Sequence, residues 1–463
     1  MAGSPWGVSR ARPWGSIAGM SAGRTEGPAW VRDAVWWHVY PLGFVGAEPR
    51  DEPGRPVAHR LPHLAAWLDH AVELGASGLA LGPVFASETH GYDTVDHLRV
   101  DPRLGDDDDL DALLAACRER GLRVLLDGVF NHVGRDHPAF RAVLEQGPAA
   151  PTASWFRLRW PDGGWAPGVE PGYDDFEGHA HLVALDHSAP GVEDHVVEVM
   201  THWLDRGADG WRLDAAYAVP AAFWARVADR VRQRHPDAYL MGEVIHGDYA
   251  RAVGDGHLDA VTQYELWKAV WSSLNDANFF ELDAALARHG ALLDRFTPYT
   301  FVGNHDVTRI ASKVTDERHL AHALVVLFTV GGTPAVYAGD EHAFRGVKED
   351  RAGGDDAVRP PFPATPGELS PLGLPVYRLH QELIGLRRRH RWLHTARTRA
   401  LHLANEQLAY EVTADGERLV VALNLADAPA EIPAPGAGEV LAGATEPAGD
   451  RVRVPAHGWA VLG

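Results

Sequence analysis

Eight short apolar runs alternate with longer helical patterns from Val31 onward, and this alternation constrains the fold more than any other feature of the chain. The runs are Ala34–Tyr40, Gly78–Val84, Arg123–Val129, Asp209–Asp214, Tyr239–Glu243, Leu258–Thr262, Tyr299–Gly303 and Pro334–Ala338. Repeated strand–helix units predict an α/β fold with a parallel sheet, and eight of them predict an eight-fold β/α (TIM) barrel. The clearest helix starts at the acidic run Asp106–Asp109, places Leu110, Leu113, Leu114 and Cys117 on one face, and stops at Gly121. A second runs from Leu320 to Val330 into the last strand.

Two segments depart from the alternation. Residues 131–190, between the third and fourth strands, are rich in Trp, Pro, Gly and Asp with little periodicity. A connection of that length predicts an inserted domain. After a helix over Pro375–Arg391 the pattern turns to short alternating strands such as Gln407–Val412 and Arg418–Asn424, joined through Asp415-Gly416. That predicts a small C-terminal antiparallel β domain over 392–463, with the barrel formed by 29–130 and 191–391. Residues 1–28, rich in Gly, Ser, Ala and Pro with scattered Arg, read as a disordered tail without the apolar core of a signal peptide.

The formal net charge of −20 disfavours nucleic acid and anionic membrane as partners and suits a neutral ligand. The single cysteine, Cys117, forbids an intrachain disulfide and reads as a buried thiol. No apolar stretch approaches the roughly 18 residues of a membrane span, so the expected location is the cytoplasm.

In a β/α barrel the chemistry sits at the C-terminal ends of the strands. Strand three ends Asp127-Gly-Val-Phe-Asn131-His132, strand four Gly210-Trp-Arg212-Leu-Asp214, strand five Met-Gly-Glu243, and strand seven Asn304-His305-Asp306. Four carboxylates, two histidines and an arginine on one rim match the needs of glycoside cleavage. There one carboxylate attacks the anomeric carbon and a second, protonated, delivers a proton to the leaving oxygen. Their pKa values must differ. Arg212 stands two residues before Asp214, so both side chains leave the strand on one face, an arrangement expected to hold Asp214 ionised.

These segments resemble the α-amylase family, glycoside hydrolase family 13, from about Trp30 onward. The resemblance lies in DGVFNH (127–132), GWRLDAAY (210–217), MGEV (241–244) and FVGNHD (301–306), with HGYDTVDHLRVDPRLG (90–105), LVALD (182–186) and GGTPAVYAGDE (331–341) in support. It implies Asp214 as nucleophile, Glu243 as general acid/base and Asp306 as the residue that grips sugar hydroxyls. It further implies Arg212 orienting Asp214, His132 and His305 binding glucose hydroxyls, Tyr92 stacking on the same sugar, and Asp127 in a structural role. The insert then corresponds to that family's domain B. No cofactor is required, although family members often hold a structural Ca²⁺ through the residue equivalent to Asn131. Tyr217 and His246 fall on the leaving-group side by the same analogy.

The sequence departs from typical starch-cleaving endo-amylases, which carry a Lys-His pair where this chain has Tyr217 and Ala218. Gly91-Tyr92-Asp93 with Arg359 resembles the cyclomaltodextrinase and oligosaccharide-hydrolase branches, and an Asp93–Arg359 pair at the edge of the first subsite is one expectation. A surface ion pair is the other. Trp155, Trp160 and Trp165 of the insert stack on sugar or pack its core, and the sequence does not separate the two. The resulting expectation is a retaining α-glucoside hydrolase acting on α-1,4 or α-1,6 linkages of small neutral α-glucan oligosaccharides, linear or cyclic. A transglycosylase or isomerase using the same intermediate, or a non-catalytic sugar-binding barrel, are the alternatives.

Overall fold

A computed structural model describes residues 25–463 except 52, 53 and 352. The expected tail falls mostly on residues 1–24, outside the described residues. Its last four residues are placed against the barrel, where the Thr25 N–H donates to the Arg295 carbonyl at 2.8 Å.

Eight parallel strands follow one another around the sheet in chain order: β1 (Trp36–Val39), β2 (Gly78–Leu81), β3 (Arg123–Gly128), β4 (Gly210–Leu213), β5 (Tyr239–Gly242), β6 (Ala260–Val261), β7 (Tyr299–Phe301) and β8 (Thr333–Tyr337). β8 pairs with β1, and a parallel bridge between Thr262 and Tyr299 links β6 to β7, so the sheet closes. Gly78 opens β2 because the Trp36 indole stands 2.3 Å from where a Cβ would lie. Trp36 in turn stacks on Tyr239 at 6.3 Å and fills the N-terminal end of the barrel.

The outer layer is helical: α1 (Leu68–Leu74), α2 (Asp107–Glu119), α3 (Pro190–Arg206), α4 (Ala221–Arg234), α5 (Tyr249–Gly256), α6 (Tyr264–Asn275), α7 (Phe280–Leu292), α8 (Leu320–Thr329) and α9 (Leu374–Arg389). The acidic run before α2 acts as a reciprocal cap, with Asp106 and Asp109 each accepting the other's backbone N–H. Leu110, Leu113, Leu114 and Cys117 of that helix are buried, and burial pushes the Cys117 thiol up to about 12.

Domain B leaves the barrel after β3. It contains the helix Pro138–Gln146 and a small antiparallel sheet in which His179–Ala184 lies between His132–Gly134 and Asp175–Phe176. Two of its tryptophans serve packing: the Trp165 ring occupies the place of a Cβ on Gly147, and Trp155 lies against Gly191 at the start of α3. The C-terminal unit begins at Arg397 and holds a five-stranded and a three-stranded antiparallel sheet. Ala409, Val420 and Ala422 of one face Ile432 and Val452 of the other in a second apolar core. The turn at Asp415-Gly416 takes positive φ at both residues, 53° and 82°, as a two-residue hairpin with right-handed strand twist requires. His322 of α8 joins this unit to the barrel through contacts to the carbonyls of Asn424 and Gly458. No helix among the described residues is long and apolar enough to cross a membrane.

Candidate active site

Alternation along β4 sorts its residues. Trp211 points outward between Phe85 and Phe130, while Arg212 and Asp214 face the barrel mouth. Arg212 is the centre of the site. Its Nη1 donates to both oxygens of Asp127, at 2.8 and 2.7 Å, and reaches Asp214 Oδ1 at 3.3 Å. Its Nη2 stands 2.6 Å from Glu243 Oε1. One guanidinium therefore serves three carboxyl groups from three adjacent strands, all of them buried.

Glu243 is fixed from two further sides. Its Oε2 accepts the Ala215 N–H at 3.0 Å, and its Oε1 accepts the Tyr264 hydroxyl at 3.3 Å. Ala215 reaches that position with φ at +45°, a conformation that non-glycine residues seldom adopt. Tyr264 is held by Asn304, whose Nδ2 donates to its hydroxyl oxygen at 2.9 Å. Removing the Tyr264 hydroxyl takes one hydrogen bond from a carboxyl group, worth about 1.5–3 kcal/mol when that group is charged. Tyr264→Phe is expected to lower kcat by roughly 10- to 100-fold with KM little changed. A variant that matches the parent in steady-state kinetics would remove Tyr264 from the machinery.

The strand-seven end supplies the opposite wall. Asp306 Oδ2 lies 3.0 Å from His305 Nε2, and its Oδ1 takes the Arg359 guanidinium at 2.6 Å. His305 stacks on Tyr92 at 5.5 Å and on Tyr40 at 5.7 Å, with its Nδ1 3.2 Å from His38 Nε2. The Tyr92 hydroxyl reaches both His305 Nε2 and, at 3.2 Å, Asp127 Oδ2, so it closes the ring between the two halves of the rim.

The Asp93–Arg359 pair is not formed. Asp93 is buried and accepts the Thr89 N–H and hydroxyl at 3.0 and 2.5 Å. Arg359 instead binds Asp306 and Asp355, donates to the His305 carbonyl at 2.9 Å, and lies 4.5 Å over the Tyr40 ring. A stacked and multiply bonded guanidinium is well placed where it is. His132 is also more engaged than the resemblance implies. Its Nε2 faces the Tyr92 carbonyl at 2.9 Å, its Nδ1 faces Asn131 Nδ2 at 3.1 Å, and its ring stacks on Phe176 at 4.8 Å. Burial pulls its pKa down to about 4, so the ring is neutral.

Asn131, the residue that the resemblance links to Ca²⁺, has a close side-chain partner. Its amide nitrogen turns toward His132, and Asp186 of the LVALD segment accepts from Ser188 and Arg157.

The electrostatics differ from the expectation that Arg212 holds Asp214 well down. Burial first, then the facing Glu243 carboxylate, push the Asp214 carboxyl well above its ordinary value, against the pull of Arg212. The physical reason is that Arg212 divides its charge among three carboxyls and is closest to the other two. For Asp306, burial alone raises the pKa, but His305 and Arg359 outweigh it and hold the carboxyl well below the usual range. The two sides of the rim are thus pushed in opposite directions, Asp214 upward and Asp306 downward.

Sequence comparison places the chain among known proteins. The profile described as "Alpha amylase, catalytic domain" matches residues 61–361. The chain belongs to the α-amylase family. Residues 390–462 match a second profile, a domain of unknown function that coincides with the C-terminal β unit. A cyclomaltodextrinase from a Bacillus species is 31% identical over 421 residues, covering 86% of this chain and 73% of that protein. The ligand-free cyclic α-maltosyl-(1→6)-maltose hydrolase of Arthrobacter globiformis superposes with a TM-score of 0.79 at 25% identity, covering 94% of this chain and 99% of that one. A cyclomaltodextrinase structure gives 0.80 at 28% identity over 95% of this chain and 79% of the other. As a member of this family the chain is a glycoside hydrolase on a β/α barrel.

The ends of strands three, four, five and seven, with Tyr92, Asp93 and Arg359 from the resemblance, make up the site as the sequence predicts it. They omit His38 within β1, Tyr40 just after it, and Tyr264 beyond β6. The same rim rule applied to every strand finds all three. Glu177 of domain B, which accepts the Tyr217 hydroxyl at 2.9 Å, carries no local signal at all.

Proposed function

We propose that the enzyme hydrolyses α-1,4 linkages, and α-1,6 linkages where geometry permits, in short linear or cyclic maltooligosaccharides with retention of configuration. The observation that carries this reading is the convergence of Asp214 and Glu243 on a single guanidinium. Both carboxyls meet Arg212, and the reaction needs one of them to act ionised and the other protonated. Asp214 attacks the anomeric carbon while Glu243 gives its proton to the departing glycosidic oxygen. Glu243 then takes a proton from water, which displaces Asp214 and restores the α configuration. Asp306, ionised and braced by Arg359, accepts hydroxyl hydrogen bonds that tighten as the ring gains positive charge.

Small substrates are favoured by the relatives' names and by the Tyr217–Glu177 contact, which ties domain B to the loop after the nucleophile. We place the enzyme in the cytoplasm, where the free, buried thiol of Cys117 meets no oxidant and imported oligosaccharides are the supply. NMR of the first products from maltotriose, a cyclic maltooligosaccharide and soluble starch tests both points. Release of the α-anomer and a higher specificity constant on an oligosaccharide than on starch are expected. Early β-anomer would refute the double displacement, and a broad product ladder from starch at an equal rate would refute the size preference.

A further inference from the structure

Away from the reacting carboxyls, three histidines from three separate parts of the chain meet where domain B joins the barrel. His97 comes from the strand Thr94–Val100 after β2, His137 caps the first helix of domain B, and His195 lies in α3. One ring nitrogen of each falls within 4.8 Å of the other two. The ring centroids are 5.3 Å apart for His97–His195, 5.7 Å for His97–His137 and 6.1 Å for His137–His195.

The hydrogen bonds show which nitrogens are free for a ligand. His97 Nε2 faces the Val129 carbonyl at 2.9 Å, and a carbonyl only accepts, so that nitrogen carries the proton. Its Nδ1 then presents a bare lone pair, directed at His195 Nε2 at 3.3 Å. A ring fixed from behind by a backbone carbonyl is the usual arrangement of a metal-binding imidazole. His137 uses Nδ1 to accept the Ala139 N–H at 3.2 Å, which leaves Nε2 as its ligand atom. Binding there moves the ring proton to Nδ1 and sacrifices that long capping bond.

We infer that His97, His137 and His195 form a binding site for a divalent transition-metal ion of the zinc type, which clamps domain B to the barrel. Imidazole nitrogens without a carboxylate suit Zn²⁺ and its neighbours and not Ca²⁺ or Mg²⁺. Asp96 and Glu198 lie close enough to His195 to offset part of the ion's charge. Three protein ligands leave a fourth position for water. The clamp also bears on the active site, because the Val129 carbonyl held by His97 begins the turn that carries Asn131 and His132.

The test uses the full chain without an affinity tag, stripped with EDTA and titrated with Co²⁺ and then Zn²⁺. One equivalent of Co²⁺ with the intense visible bands of four-coordination, displaced by Zn²⁺, is expected, together with a rise in Tm on loading. His195→Gln, at a half-buried position, should weaken binding by about a hundredfold or more and abolish the metal-dependent rise in Tm, with the metal-free Tm unchanged. His342→Gln and His457→Gln, in two other histidine groupings, should bind as the parent does. Absence of a stoichiometric four-coordinate spectrum overturns the inference, as does full binding by His195→Gln or loss of binding in either control.

Discussion

Asp214→Asn is expected to lower turnover by about 10⁴-fold or more while making the protein more stable at neutral pH. The loss of rate follows from the proposed role of Asp214 as nucleophile. The amide keeps the volume and the contact with Arg212 but has no charge with which to attack. The gain in stability follows from the raised carboxyl. An unfolded Asp titrates near about 3.9, and burial beside Glu243 lifts the folded value well above that. Below the unfolded value both states hold the proton and the group has no effect. As pH climbs toward the folded value, the native state must keep a proton that the unfolded chain releases, or bury a charge, and stability falls. The amide removes that penalty. The variant should therefore equal the parent near pH 4 and exceed it by about 0.5–2 kcal/mol at pH 7. Unfolding curves across this range, paired with kinetics, check both halves. Activity within roughly tenfold of the parent would dismiss Asp214 as nucleophile, and a variant less stable at every pH would dismiss the raised carboxyl.

Arg212→Met should be the most damaging single change in the barrel. Asp127 is fully buried and spends both oxygens on this guanidinium, and Asp214 and Glu243 lose the same cation. Stranding a buried partner costs about 3–5 kcal/mol. That figure should appear as a lower urea midpoint, together with loss of turnover. Because the cost comes from the stranded carboxylates, adding Asp127→Asn to Arg212→Met should return part of the stability without returning activity. A midpoint unchanged in Arg212→Met would show that the cluster is held by something else.

Much of this site was legible in the sequence because strand-end residues must point into the barrel mouth. Arg212 and Asp214 share a face by the two-residue period of a strand, and Asp127, Glu243 and Asp306 follow from the positions of their strands. The eight strands were legible for the same reason, apart from their ends: Leu258–Thr262 shrinks to Ala260–Val261 because Thr262 bridges across to Tyr299 where the barrel closes. Choice among partners was not legible. Arg359 can reach either of two carboxylates, and stacking on Tyr40 with a bond to the His305 carbonyl decides for Asp306 over Asp93. The tilt of Asp214 upward in pKa depends on how one guanidinium divides itself among Asp127, Asp214 and Glu243, and spacing along the chain does not encode that division. Tyr264 and Glu177 act through contacts 21 and 40 residues away in sequence.

The sharing of Arg212 also shapes what inhibits the enzyme. Three carboxyls gather on one cation, so even with one of them protonated the group carries one net negative charge. A neutral sugar does nothing to cancel it. A ring bearing a full positive charge at the anomeric end does, in a buried setting where water screens poorly. Sugar mimics whose ring carries a basic nitrogen should therefore outbind their neutral counterparts of the same shape. Their advantage should shrink on the alkaline side, once the nitrogen gives up its proton and the ring becomes uncharged.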